Sequence, residues 1–155
     1  MDTVETIRRL LAHDLWANHR VNEALRADST PRARELFAHL IAAQDLWMDR
    51  VEAKPPATSA AGDPSLDDFG PALERAHARC LTKLDGSSED DLARVVEYSD
   101  LGGNVHTTPL RDILLHLVNH GTHHRAQIAS ALKQAGAKPP RIDFIVFARE
   151  HQELS

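Results

Sequence analysis

The 155-residue chain has a single cysteine, Cys80, and aromatic residues make up only 5% of it. One thiol excludes an internal disulfide framework and a cysteine-built zinc site. No apolar run approaches the ~20 residues that a membrane-spanning helix needs. The opening MDTVETIRRLL mixes acids with arginines where a secretory leader would be apolar. Excess positive charge is missing too: 18 Lys and Arg against 23 Asp and Glu leave a net charge of −5, with no basic cluster interleaved with aromatics. That balance offers no electrostatic footprint for nucleic acid. A cytoplasmic protein with neither a nucleic-acid nor a membrane partner is the expectation. The length suits one domain, 1–155, large enough to bury a core unaided.

What is present reads as helices. DTVE at residues 2–5 has the form of a capping box, and an apolar stripe of Ile7, Leu10, Leu11, Val21 and Leu25 continues from it to about residue 27. A second helix restarts with Thr30 as N-cap and Pro31 at the first helical position, where a missing N–H costs little. Ala33, Leu36, Leu40, Ala43, Trp47 and Val51 face inward, and the helix stops before Pro55-Pro56. After the loop KPPATSAAGDPS a third helix starts from Ser65 or Gly70, with Pro71 clouding its beginning, and ends near Gly86. Residues 94–109 break the helical period. Val95, Val96, Tyr98 and Val105 around Gly102-Gly103-Asn104 predict a short hairpin or an extended loop. Thr108-Pro109 then opens a fourth long helix that runs to Gly136, and KPPRIDFIVFARE closes the chain as a short helix. Four long amphipathic helices make an all-α bundle.

Histidine is abundant, with ten in all and four of them within HLVNHGTHHRAQI, residues 116–128. The inward stripe of the fourth long helix is Leu110, Ile113, Leu117, Gly121, Ile128 and Ala131. At ~100° per residue His124 falls near the middle of that stripe and His120 about 60° from its centre. His116 and His123 lie about 100° and 120° off, towards solvent. His120 and His124 are one turn apart, so their imidazoles can converge on one ion. The residues alone leave two readings open: boundary histidines with ordinary hydrogen bonds, or metal ligands. His39, at the edge of the second helix's stripe, is a candidate for the third ligand and equally for a boundary histidine. Asp14 and Asn18 fall inside the first helix's apolar stripe. Buried polar groups need partners, so the two either bond a neighbouring helix or face a polar pocket.

LLAHDLWANHRV, ELFAHLIAAQDLW, LRDILLHLVNHGTHHRAQIASALKQAG and KPPRIDFIVFARE, in this order over almost the full chain, resemble the DinB-like (damage-inducible, YfiT-related) family. The most specific element is H-x-x-H-H-R-x-Q, from His120 to Gln127. The resemblance implies a four-helix bundle of up-down-down-up course with a long crossover. It also implies one divalent metal ion held by a histidine of the second helix and two histidines four apart on the last long helix. Carried onto this chain these are His39, His120 and His124, leaving His116 and His123 as bystanders, with His116 bordering the pocket.

Three neutral imidazoles leave coordination positions open, as in catalytic sites. The resemblance implies zinc or nickel foremost, with iron or manganese as alternatives, because imidazole suits many of these ions. It further implies an S-transferase in which a low-molecular-weight thiol attacks an electrophilic small molecule. A metal-dependent hydrolase using activated water and a non-catalytic metal-binding stress protein are the alternatives. Asn18, Asp14 and Arg125 are candidate orienting groups in catalysis, with an inter-helix salt bridge the competing reading for Arg125. Relatives that pair through helical faces, together with Trp16 roughly opposite Ile7, suggest a homodimer.

Overall fold

The computed structural model describes residues 2–28, 30–55 and 65–152. Helix α1 covers Thr3–Ala27; the Asp2 carboxylate accepts from the Glu5 backbone N–H at 2.8 Å. The reciprocal half of the expected capping box is replaced by a Glu5–Arg8 pair at 3.7 Å. Helix α2 spans Pro31–Val51, with Thr30 Oγ1 accepting from the Ala33 N–H at 3.1 Å. Helix α3 spans Leu66–Leu84. Its start is settled in favour of Ser65, whose N–H donates to Asp68 at 2.9 Å. Pro71 is accommodated inside the helix on an exposed face. The loop expected before it falls mostly on residues 56–64, outside the described residues.

A short helix α4, Glu89–Ala93, follows; the sequence reading did not anticipate it, although Ser88 and Asp91 form a capping box there. The hairpin alternative holds for the next stretch. Strands β1 (Val95–Ser99) and β2 (Val105–Pro109) pair antiparallel, Val95 opposite Pro109 and Tyr98 opposite His106. Asp100 stabilises the turn by accepting from the Gly102 and Asn104 N–H groups, each at 2.9 Å. Helix α5, Leu110–Gln134, ends as expected: Gly136 takes φ 82° and the Ala137 N–H reaches Leu132 O at 3.0 Å, a Schellman closure. Helix α6 covers Phe144–Glu150.

The core defines the course of the chain. One apolar cluster joins Val21 and Leu25 from the end of α1, Ala33 and Phe37 from the start of α2, Phe69 and Leu73 from the start of α3, and Ile128 and Leu132 from the end of α5. The second joins Ile7 and Leu11, Met48, Cys80 and Leu84, and Leu110 and Leu114, the opposite ends of the same helices. So α1 and α5 run one way and α2 and α3 the other. This is the up-down-down-up course. Helix α2 packs against α5 and α3, and α1 against α3 and α5. The hairpin lies on the C-terminal part of α2, where Tyr98 meets Trp47 edge-on, centroids 5.1 Å apart. No helix among the described residues is long and apolar enough to cross a membrane.

Trp16, off the main stripe of α1, has neighbours within the chain. Its ring is not left to solvent but is covered by α6 through Phe147 at 5.6 Å, with Arg20 over its face at 4.2 Å.

Candidate metal centre

Between the two apolar clusters lies a polar layer. Asp14 and Asn18 of α1 are 4% and 1% exposed, and Arg125 of α5 is 2% exposed. Arg125 forms a buried ion pair with Asp14 and donates to Asn18 Oδ1 at 2.9 Å. Asn18 Nδ2 and Gln44 Nε2 donate to the other Asp14 oxygen at 3.1 and 2.8 Å. Thr122 accepts from the second arm of the guanidinium at 3.2 Å. An unpaired charge at this depth would cost several kcal/mol, so mutual satisfaction is what allows the layer to exist. Gly121 makes room for it, because a Cβ there would overlap the Asp14 carboxylate and sit 2.9 Å from Arg125 Nη1. The three candidate orienting residues are thus engaged with one another between α1 and α5. Gln44 is a member that the sequence reading missed. Its signal was a polar residue one turn from both Leu40 and Met48 on an inward stripe.

The neighbouring turns of α5 point the other way, into the cleft with α2. His120 and His124 meet edge to face, with ring centroids 4.3 Å apart and their Nε2 atoms 3.0 Å apart. His39 of α2 completes the group, its ring 4.8 Å from that of His124 and 6.0 Å from that of His120. One ring nitrogen from each residue lies within 4.8 Å of the others. His124 is 9% exposed and His120 half-buried, whereas His39 sits at the solvent edge. His116 and His123 are exposed, the orientation the helix phase predicts.

Hydrogen bonding sets the tautomers. Gln127 Oε1 accepts from His124 Nδ1–H at 2.9 Å, turning the Nε2 lone pair towards His120, and Gln127 Nε2 donates to His123 at 3.1 Å. Fixing a ring through its remote nitrogen is how ligating histidines are oriented. Gln127 lies in the H-x-x-H-H-R-x-Q stretch but was given no role by the sequence reading. Burial and the surrounding imidazoles push His120 down to about 4, and burial lowers His124. Both rings are therefore neutral near pH 7, the form that binds a cation.

The donor set fits a divalent ion. At metal–nitrogen distances of about 2.0–2.1 Å no two ligands can be more than about 4.1 Å apart. The His120–His124 pair already satisfies this, and the exposed His39 ring has the freedom to close the remaining gap. The buried His120 Nδ1 has no hydrogen-bond partner; the pair is left with one strong mutual bond where an ion would engage both Nε2 lone pairs.

Fold and site together define an all-α bundle with a histidine cluster that can hold a metal in its α2–α5 cleft. A sequence model of the DinB family matches residues 6–154, nearly the whole chain, and the protein belongs to that family. No curated protein sequence matches the chain.

Proposed function

We propose that this protein is a metal-dependent enzyme in which His39, His120 and His124 hold one divalent ion and a low-molecular-weight thiol is transferred to a small electrophile. The observation that carries the reading is the convergence of three imidazoles on an edge that opens to solvent at His39. Among the described residues no Cys, Asp or Glu joins the three, as suits a site that keeps coordination positions for substrate. A divalent ion held there supplies the charge that ionises a thiol near neutral pH. Imidazole donors favour zinc or nickel over hard cations such as magnesium.

The chain's own groups do the rest. Gln127 holds the His124 ring in its ligating tautomer. The Asp14–Arg125–Asn18–Gln44 layer ties α1 and α2 to the turn of α5 that carries both histidines, so these residues position the site rather than touch substrate. His116 and Trp47, with ring centroids 5.0 Å apart, lie beside His120.

The test is a conjugation assay on metal-loaded protein, using 1-chloro-2,4-dinitrobenzene with and without glutathione, cysteine or another small thiol. Turnover should require added thiol and disappear in His39→Ala. Thiol-independent ester or amide hydrolysis, also lost in His39→Ala, would replace the transferase by a hydrolase using activated water.

A further inference from the structure

A cavity of about 390 Å³ lies between the C-terminal end of α2 and the hairpin, away from the histidine nitrogens. It falls in the size range of small-molecule sites. Leu46, Ala53, Pro55 and Leu101 give it apolar lining, and Leu101, at the hairpin turn, is 91% exposed.

Its charges are unequally committed. Asp49 receives Arg79 Nη2 at 2.6 Å, Lys54 is paired with Glu52, and Asp100 is engaged by the turn amides and by His106 at 3.0 Å. Glu97, exposed and sent by strand alternation to the face opposite Tyr98, also lines the cavity. Arg50 is different. Its guanidinium sits 4.5 Å above Trp47 and 5.1 Å above Tyr98, and among the described residues it makes no ion pair. A guanidinium held over ring faces without a carboxylate partner keeps N–H donors for an incoming carboxylate.

We propose that this cavity binds the carboxylate end of a small molecule with an apolar body, with Arg50 as the anchor. Trp47 touches both Arg50 and His116, and His116 touches His120 at 5.5 Å between centroids. The site itself does not depend on the cluster holding a metal.

Trp47 is the reporter. In a Trp16→Phe background it is the sole tryptophan, since the chain has two. The probes are benzoate, 4-phenylbutyrate and hexanoate, each against its neutral amide, on chelator-treated protein. At least one carboxylate should change Trp47 emission saturably while its amide does not. Arg50→Met should weaken that binding at least about tenfold, the scale of a charge-assisted hydrogen bond, and Arg50→Lys should restore it only in part. His120→Ala should leave it within about twofold. Circular dichroism shows whether each variant is folded. Silence of all three carboxylates, equal response to an amide, or binding that survives Arg50→Met but vanishes in His120→Ala would overturn the assignment. That last result would move the carboxylate to the histidines and leave the metal reading standing.

Discussion

Replacing Gly121 by alanine sets two forces of opposite sign against each other. Gly121 is buried in the interior of α5, and by helix propensity alone Gly→Ala there should stabilise by about 1 kcal/mol. The added methyl, however, overlaps the Asp14 carboxylate and lies 2.9 Å from Arg125 Nη1. Neither neighbour is a flexible surface group, because both are almost fully buried and committed to each other. Separating them leaves uncompensated charge in the interior, at a cost of about 3–5 kcal/mol. The net expectation is a loss of roughly 2–4 kcal/mol, or a Tm lower by roughly 5–15 °C for a chain of this size. Thermal and urea unfolding followed by circular dichroism measure it directly. In an Asp14→Leu, Arg125→Met background the penalty should shrink or reverse, since the groups the methyl strikes are gone. A Gly121→Ala protein as stable as the parent, or more so, would refute the view that this glycine exists to admit the ion pair.

Acid should destabilise the metal-free protein. His120 is held at about 4 and His124 and His13 are lowered, chiefly by burial, while in the unfolded chain they titrate near 6.5. Between those values the unfolded state binds more protons, so stability is full above about pH 6.5 and falls as pH drops towards about 4. Chelator-treated protein should therefore melt progressively lower from pH 7 to pH 5, and a constant Tm over that window would contradict the burial argument. Phe147→Ala should release α6, because Phe147 is 2% exposed and bridges the rings of Trp16, His13 and His151. Trp16 emission should shift to longer wavelength, and unchanged emission would show that α6 is held by something else.

The helices were readable because their punctuation is local. Thr30-Pro31 and Gly136 mark ends through groups within a few residues of the break. The facing of His120 and His124, and the anomaly of Asp14 and Asn18, were readable because periodicity alone places a residue on a buried stripe. Partners across the bundle were not. Asp14 meets Arg125 across 111 positions of sequence, and either could have found another neighbour. Trp16 shows the same limit: periodicity put it off the main stripe but carried no information on where the seven residues of α6 would dock. Gln44 and Gln127 were overlooked because a glutamine on a helix is ordinary until its neighbours are known. Arg50 gave no signal at all, since its platform is assembled from a helix residue and a hairpin residue.

The central claim is that His39, His120 and His124 hold the ion, and it is tested most directly by counting metal per chain. Wild type and the alanine variants of His39, His116, His120, His123 and His124 would be loaded with zinc or nickel, desalted and subjected to elemental analysis. About one ion per chain should remain in wild type, His116→Ala and His123→Ala, and almost none in the other three. Retention by His124→Ala with loss in His123→Ala, or a wild type that keeps no divalent ion, would contradict the account.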